Sequence, residues 1–354
     1  MDLQNAVAVT TIPGVSRLRA AAIFRSLAAE AGGTPSLEDV IAACGRAAGA
    51  ALLAREARLE AATLLERASH EHIAALPIDD DRYPVLLRTI VDPPIVLWLR
   101  GAEAALARPA VAIVGSRAAS PYALEVAGRL GAELAGRGVA VVSGLARGVD
   151  GAAHRGALRA GGATVAVLGS GPDVIYPAEH RGLAASICQD GALLSELGPG
   201  APPLPEHFPQ RNRLISGISL GVVVVEASEK SGSLITARCA LDQGRDVMAV
   251  PGSILGGRNR GSHALLKDGA KVVETADDIL DELGWRPCQA LPEISNKSFE
   301  DNDLLSKLTP GETYGLEDLS ATVGISGPAL LPRLTEWEMQ GRLVKLGSLW
   351  QRRS

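Results

Sequence analysis

The sequence of 354 residues has few of the features that mark several large classes of protein. Its four cysteines, Cys44, Cys188, Cys239 and Cys288, form no CxxC pair and have no zinc-ligand spacing. We therefore expect reduced thiols in a cytosolic protein. No apolar run approaches the roughly 20 residues of a membrane helix. The first residues also lack the basic leader and apolar core of a signal peptide, so we expect neither a membrane span nor secretion.

Motifs of common catalytic and cofactor sites are absent or incomplete. No GxxxxGKS/T stretch occurs, which disfavours a P-loop ATPase. The segment GSGPDV begins like a dinucleotide-binding GxGxxG motif, but Val174 stands where the third glycine is required. The segment GISLG matches GxSxG but joins a predicted helix to a predicted strand, so we expect Ser219 to be a turn residue. The histidines are dispersed, and we expect no metal, no cofactor and no catalytic residue.

The composition is that of a globular protein with two or three domains. Hydrophobic residues make up 47% and charged residues 21%, while aromatic residues reach only 3%. The formal net charge is -5, which argues against a protein coated in basic charge. A local basic pocket remains compatible with this total, because binding follows the distribution of charge.

Residues 1–75 read as a helical domain, in Ala/Leu/Arg-rich stretches such as RLRAAAIFRSLAAEA and AALLAREARLEAATLLERA. The segment IPGVSRLRAAAIF resembles a helix-hairpin-helix, in which the amides at the start of the second helix face a phosphate. Plain helix packing produces the same pattern and is the alternative interpretation.

Residues 76–285 read as the next domain, in which the chain alternates between strand and helix from about residue 110 to 284. IVLWLRG predicts a short strand that leads into this domain. Between strands lie amphipathic segments such as YALEVAGRLGAELAGRG. The pattern predicts an α/β fold with a doubly wound, mostly parallel sheet, whose strands are buried on both faces. The candidate strands are AVAIVG, VAVVSG, TVAVLGS, ALLSEL, GVVVVEA, DVMAVPGS and KVVE.

Residues 286–298 read as a linker and residues 299–354 as a small domain. Three helical segments followed by the hairpin LVKLGSLWQRR, closed at Gly347, give the element order of a winged helix. Pro332 interrupts the third helical segment, and we interpret it as a proline of an early turn or a kink. No long basic recognition helix is present, so groove reading of duplex DNA is not indicated.

The loops that follow the predicted strands are rich in small residues, hydroxyls and cations. Ligands of doubly wound sheets bind at this edge, where each loop leads into the start of a helix. Ser116 and Arg117 follow the first strand, and SEKSGSLITA follows GVVVVEA. Each loop alone is explained equally well as a cap or a turn. Together the loops predict an anion pocket.

The stretch HFPQRNRLISGIS, from His207 to Ser219, predicts a helix with two cations in its first turn. Cations at that end oppose the helix dipole, at a cost of roughly 0.3–1 kcal/mol each. We therefore expect an anion nearby. Arg211 falls on the apolar stripe of the helix, and Arg213 turns to another side. Alternatively, Arg211 is a snorkelling side chain that pairs with Glu206 or Glu226.

Together these motifs resemble the DNA-processing protein A family (DprA, also called Smf). The matching segments include YPVLLRTIVDPPIVLWLRG, VAIVGSR, SGLARGVDGAAH, FPQRNRLISGIS and VVVVEASEKSGSLITA, and they are densest from about residue 80 to 275. The resemblance implies a cytoplasmic homodimer that binds single-stranded DNA and is not an enzyme. It also implies protection of incoming DNA in natural transformation and loading of the RecA recombinase. The implied core is an extended Rossmann-like domain, flanked by an N-terminal helical domain and a C-terminal winged helix.

The resemblance also implies which residues bind DNA. Arg211 is expected to brace the pocket from within, while Arg213 and Phe208 meet the strand. Many relatives have Asn where His180 stands, and Ala178 and Glu206 replace basic residues. Either these replacements lower the affinity for DNA, or Arg147 and Lys230 compensate for them. The full expected set is Gly115, Ser116, Arg117, Ser143, Gly144, Phe208, Arg211, Asn212, Arg213, Lys230, Ser231, Gly232, Ser233 and Thr236.

Two other functions stay open on the sequence alone. One is a Rossmann-like nucleotide-processing enzyme of the phosphoribohydrolase type, for which Glu196 and Glu226 are the candidate carboxylates, although the PGGxGT motif of such enzymes is absent. The other is a pure interaction scaffold, in which the winged helix is a partner-binding module. The dimer surface is expected around GSHALLKDGAKVV.

Overall fold

A computed structural model describes residues 2–284 and, further along the chain, residues 309, 313–316, 318–319, 330, 334, 337–338, 342–346 and 349–352. The chain divides into two compact units, Met1–Pro287 and Cys288–Ser354. The predicted linker over 286–298 lies outside the described residues.

The first unit begins with the helices that its Ala/Leu/Arg-rich pattern predicts. Ser16 and Ser36 stand just before two of them, and each side chain accepts a hydrogen bond from a first-turn amide. Gly32 ends one helix in the left-handed conformation, with φ of 64°. These helices are α1 (Leu3–Thr10), α2 (Arg17–Ala31), α3 (Leu37–Ile41) and α4 (Ala50–His70).

A nine-stranded sheet forms the centre of the first unit. Its strands are β1 (Ile73–Pro77), β2 (Val96–Gly101), β3 (Ala110–Val114), β4 (Ala140–Ser143), β5 (Thr164–Val167), β6 (Ala192–Ser195), β7 (Gly221–Val224), β8 (Asp246–Ala249) and β9 (Lys271–Val272). The helices between and after them are α5 (Val85–Arg88), α6 (Pro121–Gly136), α7 (Val149–Arg159), α8 (Arg181–Asp190), α9 (His207–Gly217), α10 (Ser233–Asp242), α11 (Arg260–Lys267) and α12 (Ala276–Glu282).

The strand order is β1-β2-β6-β5-β4-β3-β7-β8-β9. The seven strands predicted from apolar runs are confirmed as β3 to β9, and all of them pair in parallel. Strands β1 and β2 add an antiparallel edge. From β3 the chain winds one way through β4 to β6 and the other way through β7 to β9. The C-terminal ends of β3 and β7 therefore form a topological switch point, where such sheets bind ligands.

Both faces of the parallel sheet are buried, which explains the continuous apolar runs. Successive residues of a strand point to opposite faces, so Ala112 and Val222 join one hydrophobic core while Ile113 and Val223 join the other. One layer of helices covers each core, and the layers hold the loops at the strand ends in place.

Strand β1 was not predicted, and the expected domain boundary after residue 75 falls inside it. The strand follows α4 after a short turn at His72, whose φ is 53°. Trp98 of β2 packs in one hydrophobic core with Ile73 and with Ala57 and Ala61 of α4. The N-terminal helices thus share a core with the edge of the sheet.

Helix α9 begins at His207. The prediction placed Arg211 and Arg213 in the first turn, which requires a start about one turn later. That prediction is wrong. Pro209 is compatible with the early start, because the first amides of a helix have no intrahelical partner and proline lacks that donor. The two arginines therefore lie beyond the first turn, and the helix dipole does not account for them.

In the second unit, the predicted hairpin is present as β11 (Leu343–Leu346) paired antiparallel with β12 (Leu349–Arg352). A further strand, β10 (Thr313–Tyr314), pairs with β12. Leu319, Leu330, Leu334, Trp337 and Trp350 pack into a small core. Gly347, Pro332 and the first predicted helix lie outside the described residues.

Candidate functional site

A cavity of about 630 Å³ lies at the C-terminal edge of the parallel sheet, beside the switch point between β3 and β7. The loops after β3 and β7 and the first half of α9 supply most of its wall. The structure brings together ten of the fourteen residues expected to bind DNA. These are Gly115, Ser116, Arg117, Phe208, Arg211, Asn212, Ser231, Gly232, Ser233 and Thr236.

Arg117 and Phe208 form the aromatic part of the wall. The Arg117 side chain is exposed, and its guanidinium carbon lies 5.4 Å from the centre of the Phe208 ring. A cation at this distance is attracted to the face of the ring. Tyr176, 48% exposed, places its ring centre 5.6 Å from that of Phe208. The two rings are inclined at 53° to each other, so the site offers two aromatic faces beside a solvent-facing cation.

The loop that carries Arg117 is fixed by Glu226 at the end of β7. The Ser116 amide donates to the Glu226 backbone carbonyl at 2.7 Å. The buried Glu226 carboxylate accepts from the Ser120 amide at 3.1 Å and from its hydroxyl at 2.5 Å. Ser120 in turn caps α6. Glu226 thus holds a helix start and the Arg117 loop in one geometry.

The opposite wall is the start of α10, which is rich in hydroxyl groups. The hydroxyls of Ser231 and Ser233 lie 2.8 Å apart, and Thr236 follows one turn later. The Asn212 side-chain amide donates to the Gly232 carbonyl at 3.3 Å, which ties α9 to this loop. The positive end of the α10 dipole and these hydroxyls together favour an anion here.

Arg211 forms the floor of the cavity and is only 5% exposed. Its Nη1 donates to the Val167 carbonyl at 3.0 Å, and its Nε has no hydrogen-bond partner among the described residues. Burial lowers the pKa of Arg211 to about 10, a value at which it remains charged at neutral pH. A Cβ at Gly144 would overlap the guanidinium, so a larger residue there would displace Arg211. Arg211 is a buried cation facing the cavity.

Asp150, at the start of α7, was not predicted and also lines the cavity. Its Oδ2 accepts from the amides of Gly144 at 3.1 Å and Ala146 at 3.4 Å. Burial raises the pKa of Asp150, and attraction to Arg211 opposes that rise. The anion-accepting amides of the loop after β4 are thus already occupied by a carboxylate. The position of Asp150 at the start of a predicted helix, within SGLARGVDGAAH, is the sequence feature that could have identified it as a site residue.

Arg213 is not placed at the cavity, in contrast to the expectation that it faces outward with Phe208. Its Nη2 donates to both oxygens of Glu196 at 2.8 Å, and its Nε lies 2.9 Å from Asp92 Oδ2. Arg17 of α2 approaches Glu196 at 3.6 Å from the other side. Arg213 is 8% exposed and belongs to a buried ion-pair network between α9, β6 and the N-terminal helices.

Three other expected residues do not line the main cavity. Ser143 is buried and donates to the Ile113 carbonyl at 2.6 Å, joining β4 to β3. Gly144 lines a smaller pocket next to the cavity. Lys230 is exposed on the loop between β7 and α10.

Of the three residues that depart from the family pattern, His180 is buried and the other two are exposed. The buried His180 donates through Nδ1 to the Leu145 carbonyl at 2.9 Å, and Leu145 has a φ of 58°. His180 thus braces the loop after β4. Ala178 and Glu206 are exposed.

The start of α2, compared above with a helix-hairpin-helix, faces a carboxylate. Arg17 donates to Gln210 Oε1 at 2.6 Å and lies near Glu196. These residues line a second pocket of about 300 Å³. A phosphate there would meet the charge of Glu196, so the geometry favours the helix-packing interpretation.

Within the described residues, no helix is long and apolar enough to span a membrane. Nor do three or more His, Cys, Asp or Glu side chains in that part of the chain form a group able to hold a metal ion.

Comparison with known proteins gives consistent matches. The family model of DNA recombination-mediator protein A matches residues 74–284. Protein Smf of Escherichia coli is 43% identical over 288 residues, covering 78% of this chain and 76% of that protein. The crystal structure of DNA processing protein A from Streptococcus pneumoniae aligns with a TM-score of 0.70 at 37% identity, over 80% of this chain and 98% of that one.

A second solved structure, that of DNA processing protein A from Helicobacter pylori, aligns with a TM-score of 0.55 at 31% identity. It covers 61% of this chain and 97% of that one, and is described for its single-stranded DNA binding mode.

Proposed function

The chain belongs to the DNA recombination-mediator protein A family, and from that premise we propose that it binds single-stranded DNA in the cavity beside Arg117 and Phe208, without base preference. The observation that carries this proposal is the exposed Arg117 guanidinium over the Phe208 ring, facing the hydroxyl-rich start of α10. The Helicobacter pylori relative, which is described by its single-stranded DNA binding mode, supports it.

The chemistry of the cavity suits the two repeating parts of a single strand. Phosphates fit the start of α10 and the cations Arg117 and Arg211, since both offer positive charge. A base fits the Phe208 ring, and such stacking contributes roughly 1–3 kcal/mol per base. Every base has a flat face and every nucleotide a phosphate, so we expect tolerance of sequence.

The expected site residues divide into three groups in this proposal. Those that line the cavity touch the strand. Gly144 and Ser143 lie beneath Arg211 and support the floor that it forms, and Arg213 fixes the orientation of α9 through Glu196. Exposed Lys230 attracts the strand as it approaches.

The wider role is proposed from the family resemblance. We propose that a homodimer, formed through the region around α11 and β9, protects single-stranded DNA in the cytoplasm during natural transformation and loads RecA onto it. The second unit, with its antiparallel β-strands and apolar core, is proposed to be a winged helix that contacts partners. The predicted domain limits of 1–75, 76–285, 286–298 and 299–354 remain proposals, and the first of them falls inside β1.

The proposal is tested by fluorescence anisotropy with labelled oligo(dT), a mixed-sequence single strand and a duplex, at several salt concentrations. We expect the two single strands to bind with similar affinity and the duplex to bind more weakly. The logarithm of the association constant should fall linearly with that of salt, by about 0.7 for each neutralised phosphate. Equal affinity for the duplex, or strong sequence dependence, would contradict the proposal.

A nucleotide-processing enzyme is the second candidate. Its expected carboxylates do not line the cavity: Glu196 is paired with Arg213, and Glu226 binds Ser120. Asp150, which does line it, is bound to backbone amides. This makes hydrolysis the weaker candidate. Release of free base from a nucleoside monophosphate by the purified protein would reverse that ranking.

A scaffold role for the second unit is tested separately. We expect a chain lacking residues 290–354 to keep its affinity for single strands. Loss of that affinity would assign DNA contacts to the second unit.

A further inference from the structure

A small pocket of about 70 Å³ adjoins the main cavity and shares Phe208 with it. Arg117, Arg147 and Arg211 all line this pocket. The pocket is much smaller than the main cavity of about 630 Å³, and a single anionic group suits it. Three arginines around such a volume form a site for an anion, and a strand across Phe208 would place one there.

Two of the three arginines can take part in binding an anion: Arg211 has an unused hydrogen-bond donor, and Arg117 has an exposed charge. Arg211 is 5% exposed, and its Nε has no hydrogen-bond partner among the described residues. Arg117 is exposed and rests on Phe208. The pocket thus holds a buried, under-satisfied cation at its floor and a second cation at its rim.

Arg147, the third arginine, is occupied by an acidic side chain. Its Nε donates to Glu179 Oε1 at 2.6 Å, and its Nη2 donates to Glu179 Oε2 at 2.7 Å. Glu179 lies in the short helical turn after Pro177, and Pro177 itself lines the same pocket. Both side chains are more than half exposed, at 60% for Arg147 and 53% for Glu179. A phosphate offers the same two-oxygen geometry to a guanidinium as this carboxylate does.

We propose that the small pocket binds a second phosphodiester of the single strand, and that Glu179 holds Arg147 as an internal competitor until the strand displaces it. The inference rests on the proposed single-strand binding and adds a subsite and an affinity control to it. Because an exposed ion pair is weak, the strand displaces Glu179 at little cost. Glu179 therefore lowers the affinity without closing the site.

The test compares Glu179→Gln with wild type in oligo(dT) binding at several salt concentrations. Release of Arg147 should tighten binding about two- to fivefold and steepen the salt slope by up to about 0.7. Glu38→Gln is the matched control, since Glu38 forms a two-oxygen pair with Arg58 at 3.0 and 3.2 Å on the N-terminal helices and carries the same charge. We expect this control to bind like wild type.

The double variant Arg147→Ala with Glu179→Gln separates release of Arg147 from simple removal of a negative charge. We expect it to lose both the gain in affinity and the steeper slope. The inference is overturned if Glu179→Gln behaves like Glu38→Gln, or if the double variant keeps the gain. Either result leaves the proposed function intact, provided that the wild-type protein binds single strands. If the wild-type protein does not bind single strands, both the proposed function and this inference are refuted.

Discussion

Replacement of Arg213 by methionine should destabilise the folded protein without removing a group from the DNA cavity. The side chains of Arg213 and Glu196 are 10% and 9% exposed, and Nη2 contacts both carboxylate oxygens at 2.8 Å. Breaking a buried pair costs up to about 3–5 kcal/mol, and here it leaves Glu196 with only the more distant Arg17. Asp92 is 44% exposed, so loss of its contact with Arg213 adds little after screening by solvent.

A second substitution checks that the cost comes from the stranded charge. In the Arg213→Met variant, Glu196 keeps only Arg17, at 3.6 Å. Changing Glu196 to glutamine in the same chain removes the buried charge and should recover most of the lost stability, because replacing both partners of a buried pair is often close to neutral.

Urea unfolding followed by circular dichroism gives the midpoint of each variant. Anisotropy with oligo(dT), in buffer where the variant is folded, gives its affinity. We expect the midpoint of Arg213→Met to fall and its affinity per folded molecule to stay within about twofold of wild type. An unchanged midpoint with lost binding would refute this reasoning and return Arg213 to the DNA-contacting residues.

Three further changes probe other parts of the account. Arg117→Ala should weaken binding of all single strands alike and reduce the salt slope by about 0.7, and unchanged oligo(dT) binding would remove Arg117 from the site. Gly144→Ala should displace the Arg211 guanidinium, which should cost about 1–3 kcal/mol of stability and weaken DNA binding. Gly136→Ala is the control, because a Cβ there meets nothing within 4 Å. Burial lowers the pKa of His154 to about 3. As the pH falls from 7 to 5, the unfolded chain therefore takes up a proton at His154 while the folded protein does not. The free energy of unfolding should fall by about 2 kcal/mol over this range. Urea midpoints at the two pH values measure this loss of stability, and the His154→Gln variant should lose less. If the variant loses as much as wild type, the loss does not come from His154.

The parallel sheet could be predicted because its signal is local. Runs such as GVVVVEA need no partner to be recognised, since both faces of a buried strand are apolar. The loops at the strand ends followed from the same pattern, because parallel strands bring their C-terminal ends to one edge. This is why Arg117 and the serines of the loop before α10 were expected near one another, and the structure places them around one cavity.

The roles of Arg211 and Arg213 depended on partners far away in the sequence. Helical spacing shows that the two side chains diverge, but it does not show which side holds the cavity. The contacts that decide this are the Val167 carbonyl for Arg211 and Glu196 for Arg213. Neither contact leaves a pattern in HFPQRNRLISGIS.

Strand β1 was missed for a different reason. The segment from Ile73 to Pro77 is short and directly follows the long helix α4, so its apolar residues extend the helical pattern. Only pairing with β2, which is a tertiary contact, makes it a strand.

The central claim is that a single strand lies against Phe208 in the cavity at the switch point. Photocrosslinking with an oligonucleotide that carries halogenated uracils, followed by mass spectrometry of the peptides, tests it most directly. The account predicts adducts on Phe208 or on Tyr176, whose ring centre lies 5.6 Å away, and predicts that excess unlabelled oligo(dT) abolishes them. Adducts confined to the N-terminal helices or to residues 288–354, with none on the cavity wall, would contradict it.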